Sequence, residues 1–584
     1  MRKQVFTWSL IAIMVAGCGP AEQPPAVEAA DYVYTNGKIY TVDEANPWAE
    51  AVAVHGSDIV YVGDSAGAEA YVGDGTTVND LAGKVLLPGM ISTHDHATAF
   101  MPFKAGLVMP NNGDPKWMLE QLEKYIEENP NGPFFSFGGA FEGAVMITRE
   151  EIDAIVPDKP FLMIGQGGHG GWANTLALEM SGVVKGKPDP IDSYGRHEDG
   201  TPTGEITASP GVFWIVKELG LVEKDAIIEA APPVMENLNS KGVVASYEVM
   251  TFPGTEEAVF AAMNELEKSG DLTVRFAMCT AIQRPVHIEG ALEKLKKYGA
   301  MYSSEFFNVN TLKNHGDGAF ENRTAAVLEP YPDQPDWYGF LAMPPEQVKD
   351  VMLRTAEAGY NIHTHTVGDR AARWALDGFQ VVRDAGHDDV RLATGHTMLV
   401  DEADKPRFAE LNVSVNTLSP QTIPTDAAKL ALDTERYERM MPLGTLAAQG
   451  ARIASSADFP VFDINPFPNM YMMITRKELG KDEVLPPEAD KITLEQAIRS
   501  YTIDAAYLME FESFTGSIEV GKRADLVVVD RDIFEVSLED MAATDVLSTM
   551  VNGRIVFDSS SPQDPPDAIG PERMLDTGAI RGEQ

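Results

Sequence analysis

"LLPGMISTHDHAT", residues 86–98, is the stretch on which the fold reading turns. An apolar run broken by a Pro-Gly pair ends in His94-Asp95-His96. Along a strand, residues i and i+2 point to the same face. His94 and His96 therefore aim two imidazoles at one point, and Asp95 faces away. A strand presents two ligands to one metal ion in this manner, and the chain places them there although it holds only 11 histidines in 584 residues. One such pair decides little by itself. Further ligand-type residues at strand ends downstream, in a consistent order, carry the decision.

Seven more strand-like runs occur after it, each bounded by turn residues or a helical pattern. They are 242–249, 273–280, 307–314, 360–367, 391–398, 412–419 and 451–458, and with 89–96 they make eight. Helical patterns alternate with them, as in "PEQVKDVMLRTAEAG" and "DRAARWALDGFQVVRDAG". Eight strand–helix units predict an α/β fold of the (β/α)8 TIM-like type, spanning 87–509. The gap between the first two strands, 100–240, is too long for a single connection. It reads as an inserted cap at the barrel mouth. Outside the barrel, 32–86 and 510–560 share a texture of short β pieces, which predicts a small β-sandwich built from both chain termini.

Residues with chemical potential fall at the C-terminal ends of the predicted barrel strands. Strand one gives His94 and His96, strand four Lys313, strand six His396 and strand eight Asp458. Strand five offers His363 and His365 on one face, and His315 shares the face of Lys313. Asp317 and Asp369, beside glycines, read as turn residues. Cys279 reads as a buried core thiol. His169, in the glycine-rich "GQGGHGGWANTLAL", reads as a polar handle for substrate, with Trp172 as part of an apolar wall that also draws on Phe100, Met101, Phe103, Phe141 and Phe213.

This series resembles the amidohydrolase superfamily of metal-dependent hydrolases, and within it the third amidohydrolase family, which includes N-substituted formamide deformylases. "LLPGMISTHDH" is similar to the family's PG-x-x-x-x-H-x-H opening, "LKNHGDGAFENRTAAVLEPY" to its lysine segment and "IHTHTVGDRAARWAL" to H-x-x-G-D-x-A. "LATGHTM", "SSADFPV" and "GSIEVGKRADLVVVD" resemble its later segments. The resemblance selects His365 over His363 as the strand-five ligand and leaves His363 and His315 to line the substrate site. It implies two divalent ions, zinc first and manganese, cobalt or iron as alternatives, bridged by a carboxylated Lys313. His94, His96 and Asp458 would hold one ion and His365 and His396 the other. It implies hydrolysis of a small-molecule amide by a metal-bridging hydroxide, with Asp458 as the proton carrier. Two departures bear on substrate: Thr397 and Met398 follow His396 where relatives have Ala-Gln, and Glu205 in "PTGEITASP" is displaced. An esterase or lactonase could use the same site. A mononuclear deaminase would need a glutamate near strand five and no Lys313, and a silent binding protein would need neither Lys313 nor Asp458.

Composition bounds the rest. The formal charge of −42 repels nucleic acid and anionic membranes. "MRKQVFTWSLIAIMVAGC" reads as a signal peptide over 1–17 with a lipobox that places lipid on Cys18, followed by a tether over 18–31. The expected location is the bacterial cell envelope, with export, attachment only through that lipid, and the outer membrane favoured over the inner by Gly19. A homodimer is compatible with the sequence.

Overall fold

A computed structural model describes residues 28–561 except 102–105, 111, 133, 141–144, 167, 169, 252–253 and 321. The expected signal peptide, Cys18 and most of the tether lie outside the described residues.

The eight predicted barrel strands are present within a few residues of their expected ends. They are Met90–Asp95, Val243–Glu248, Arg275–Ile282, Phe307–His315, Asn361–Thr366, Leu392–His396, Val413–Leu418 and Arg452–Ser456, hereafter barrel strands one to eight. Each pairs in parallel with the next in a single sheet. Strand eight comes round to strand one. Thr93 Oγ1 donates to the Ser455 carbonyl (2.9 Å), and His96 N–H donates to the Phe459 carbonyl (2.7 Å). The result is a nearly closed (β/α)8 barrel. Helices such as Pro345–Glu357 and Asp369–Asp384 bury Val348, Val351 and Met352, and Ala372, Leu376 and Phe379, in the main core. The register sets Lys313 opposite His363 and His315 opposite His365. Side-chain alternation then turns all four toward one side.

The 100–240 insertion has its own α/β architecture. Its six-stranded sheet runs Tyr194–Arg196, Pro202–Ile206, Gly171–Ala173, Leu162–Ile164, Phe135–Gly138, Leu107–Met109. The last three strands are parallel and the rest antiparallel. Helices Pro115–Glu128 and Arg149–Ile155 pack on it, the second started by a Thr148/Glu151 capping box.

Two sheets form the small domain. One contains Asp58–Gly63, Ala51–His55, Tyr32–Thr35 and Thr77–Asp80. The other mixes both chain ends: Val85–Pro88 pairs antiparallel with Leu526–Val529 and parallel with Lys38–Tyr40. Val85–Pro88 leads through Gly89 into barrel strand one. A Cβ at Gly89 would lie 2.4 Å from Val244 Cγ1, so the close approach to strand two requires glycine. The Arg275–Asp525 ion pair (3.0 Å), fully buried on both sides, ties strand three to this domain. Arg275 also donates to Asn552 and to the Glu305 carbonyl, which satisfies the buried guanidinium.

Candidate metal centre

His94, His96 and Asp458 each bring one ligand atom within 4.8 Å of the others, a span that one divalent ion can gather. His94 lies inside strand one, and His96 comes directly after its last residue. Asp458 stands two residues past strand eight with φ +57°, and His396 ends strand six with φ +65°. Non-glycine residues take this left-handed conformation at a cost that functional sites tolerate.

The rings of His94, His363, His365 and His396 converge on the barrel axis. His94 lies 4.9 Å from His396 and 5.3 Å from His363 between ring centroids, and His365 lies 4.3 Å from His396. A Cβ at Gly395 would sit 2.7 Å from His363 Cε1 and 2.9 Å from His94 Cε1, so glycine leaves room for both rings. Burial holds His94, His363 and His396 well below the ordinary histidine pKa. They are neutral imidazoles with a lone pair to offer.

Partners behind the rings fix their orientation. His96 Nδ1 donates to the Met250 carbonyl (3.1 Å), which leaves Nε2 facing Asp458 Oδ1 at 3.2 Å. Burial opposes a charged His96, but the Asp458 carboxylate, with the Met250 carbonyl and Glu248, more than offsets it and raises the pKa. A cation between the two would take the place of that proton. His365 Nδ1 lies 3.1 Å from Asp317 Oδ1. Asp317 also accepts from Val367 N, Gly368 N and Ala326 N at 2.8–3.0 Å. Burial pushes the Asp317 carboxyl up to about 7. His396 Nδ1 lies 3.3 Å from Gln421 Oε1.

Lys313 is 4% exposed, and burial lowers its pKa to about 7. Its Nζ lies 2.8 Å from His363 Nδ1. The donor set fits a divalent cation: neutral imidazoles, one carboxylate and a depressed lysine. Two buried nitrogens, His94 Nδ1 and His363 Nε2, have no hydrogen-bond partner among the described residues.

The structure thus brings together His94, His96, Lys313, His365, His396 and Asp458. His315 is partly exposed and stacks on His365 (4.5 Å, 25°). Two of the residues expected to contact substrate are buried. His363 is 1% exposed beneath its hydrogen bond to Lys313, so it supports the lysine and does not line an open wall. Trp172 is 2% exposed and packs with Met109, Met118, Phe161 and Met163 in the insertion's core. Its size and its place on a central strand of a small sheet explain that burial. Met101 and Phe213 are buried too. His169, Phe103 and Phe141 lie outside the described residues. Sequence reasoning missed Asp317 as the partner of His365. It also missed the buried set of Asp95, Ser246, Glu248 and Thr98. The signal available was a carboxylate two residues beyond the His315 position in "HGDG", which a turn also explains.

A family model described as "Amidohydrolase family" matches residues 77–557. Protein LONG AFTER FAR-RED 3 of Arabidopsis thaliana is 28% identical over 547 residues, covering 91% of this chain and 93% of that protein. N-substituted formamide deformylase of Arthrobacter pascens is 25% identical over 549 residues, covering 90% and 98%. Among solved structures, an uncharacterized metal-dependent hydrolase from Pyrococcus horikoshii OT3 superposes with a TM-score of 0.71. It is 21% identical and covers 87% of this chain and 99% of that one, which is a likeness of fold.

Proposed function

The chain belongs to the amidohydrolase family, and from that membership we propose that it cleaves the C–N bond of a small linear amide at a two-metal site. The observation that carries this reading is the meeting of a carboxylate-bearing ligand group, His94, His96 and Asp458, with a buried lysine of depressed pKa at one end of one barrel.

His94, His96 and Asp458 would hold one ion, and His365 and His396 the other. Bound there, zinc, manganese, cobalt or iron would polarise the substrate carbonyl and acidify a water. Lys313, once carboxylated, would supply an anionic ligand to the pair. Its neutral amine would attack the carbon of CO2: the N–C bond forms as one C=O π bond opens onto oxygen, and the nitrogen's proton passes to solvent, leaving a carbamate anion. A pKa near 7 makes that amine available at neutral pH. Asp458 takes the proton of the attacking water and returns it to the leaving nitrogen. An amine leaves poorly unless protonated, so one carboxylate serves twice. His315, beside His365 and partly exposed, is the substrate contact nearest the ligands, and His169 serves as the cap's polar handle.

We extend the proposal to location. Residues 1–18 support export and lipid attachment at Cys18. No described helix is long and apolar enough to cross a membrane.

The test is a hydrolysis screen of protein lacking residues 1–27, with zinc, manganese or cobalt added. The panel contains N-formyl amines, N-acyl amines, acyl amino acids and aryl esters. Metal-dependent release of amine is the expected result. Turnover of esters alone would move the reading to an esterase or lactonase, and no turnover at all would favour a binding protein.

A further inference from the structure

Asp95 stands between two ligand histidines and faces away from them. A position there can hold any residue that suits the barrel wall, yet this one holds a carboxylate with no exposed surface. A buried carboxylate is costly unless its oxygens are engaged. Asp95 Oδ1 accepts from Phe459 N–H (3.1 Å), and Oδ2 lies 2.9 Å from Ser246 Oγ. Ser246 Oγ is also 3.0 Å from Glu248 Oε1, and Glu248 Oε2 accepts from Thr98 N (2.8 Å) and Thr98 Oγ1 (2.7 Å). Phe459 comes directly after Asp458. Its carbonyl accepts His96 N–H at 2.7 Å. The residue after Asp458 is therefore gripped on both backbone groups by the His94–His96 segment. Asp458 itself sits at φ +57°, a conformation that surroundings must hold in place.

We propose that Asp95 is a positioning residue for Asp458: its carboxylate fixes the Phe459 peptide, and through it the side chain that serves as ligand and proton carrier. The inference rests on the proposed role of Asp458 as ligand and proton carrier. Ser246 Oγ meets the second carboxylate oxygen of Asp95 from strand two, away from the Phe459 contact, and Thr98 joins the same network through Glu248.

The test compares Asp95→Ala, Asp95→Asn, Ser246→Ala and Asp458→Asn in the full-length protein. Each metal-free protein is titrated with Co2+ and monitored by its visible absorption, thermal melts confirm folding, and kcat and KM are measured on any substrate the screen yields. Asp95→Ala should weaken Co2+ binding about tenfold or more, as loss of an outer partner does. It should lower kcat with little change in KM. Asp95→Asn keeps an oxygen for Phe459 N–H and turns an N–H2 toward Ser246, so both readouts should stay within about threefold of wild type. Ser246→Ala leaves the Phe459 contact intact and should also stay near wild type. Unchanged Co2+ affinity in folded Asp95→Ala would overturn the inference. So would an Asp95→Asn protein as weak as Asp95→Ala, or a Ser246→Ala protein equally damaged, since either would trace the loss to strand packing. If Asp458→Asn keeps wild-type affinity and turnover, the proposed role of Asp458 fails first. If Asp458→Asn fails while Asp95→Ala behaves as wild type, only the positioning role falls.

Discussion

The two halves of the site are built differently. The half around strand one carries its own negative charge: Asp458 stands 3.2 Å from His96, and its ligand atom lies within 4.8 Å of those of both histidines. The half around strands five and six presents two imidazoles, His365 and His396, with ring centroids 4.3 Å apart, and the amine of Lys313. The carboxylate beside His365, Asp317, is spent behind that ring on three backbone N–H groups and the ring itself. A divalent ion facing neutral donors in a buried site lacks the charge compensation that a low-dielectric setting demands. The first half can bind a cation with its side chains as encoded. On the proposed two-metal reading the second would need an anion made after translation, which a carboxylated Lys313 would provide.

Removing the charge of the first half should have the largest effect. Asp458→Asn should fold and keep the second half's ion while turnover falls by about 10²–10⁴, the usual worth of a positioned acid and base. Turnover and bound metal per chain, measured together, check this. Near-normal turnover would erase the distinction between the halves as far as proton transfer is concerned.

Lys313→Ala should produce the mirror image. The first half keeps its ion, the second loses it, and activity falls by about 10²-fold or more, because a metal's charge stabilisation is worth several kcal/mol. Short carboxylic acids in the buffer should restore part of the activity by supplying the missing anion. Two bound ions in Lys313→Ala without added acid would show that the second half needs no bridge.

Asp317→Asn sharpens the comparison without removing a ligand. The amide cannot serve every donor that the carboxylate now accepts, and the orientation of His365 should loosen. Affinity at the second half should drop by about 10–100-fold, the typical cost of losing such a partner. Affinity at the first half should stay unchanged. Biphasic Co2+ titration separates the two; equal weakening of both phases would make Asp317 a residue of the whole barrel.

Much of this was legible in the sequence, for reasons that differ by residue. Side-chain alternation fixes which faces of a strand share a direction, so His94 with His96, and Lys313 with His315, emerge from parity once a strand is recognised. The barrel emerged from eight strand–helix units whose ends the structure moves by only a residue or two. What alternation cannot supply is the identity of a partner far along the chain. Asp317 reaches His365 across 48 residues, and Asp95 reaches Ser246 and Phe459 across 151 and 364. Each contact exists only after the barrel closes. The cap misled for a related reason. A large aromatic in a glycine-rich loop resembles a binding wall, but a small sheet must bury something large, and Trp172 fills that core together with Phe161 and Met163.

The smallest effect separates the halves by pH. Burial brings Lys313 down to about 7 from the ordinary lysine value of 10.5. Between those two pH values the unfolded chain holds a proton on this lysine that the folded chain does not. Stability rises with pH wherever the unfolded state binds more protons, so the metal-free protein should gain stability relative to Lys313→Met as pH climbs from about 7 toward 10.5, and the difference should be flat below 7. Carboxylation depends on the neutral amine. At one pH unit below the folded pKa only about a tenth of the lysine is neutral, and above it most of it is. Activation of metal-free protein by zinc with added bicarbonate should therefore increase several-fold from pH 6 to pH 8. 13C NMR in labelled bicarbonate should show the carbamate signal growing over the same interval. A signal and an activation that stay level from pH 6 to pH 8 would mean that Lys313 does not gate the second half, and the two halves would then differ in geometry alone.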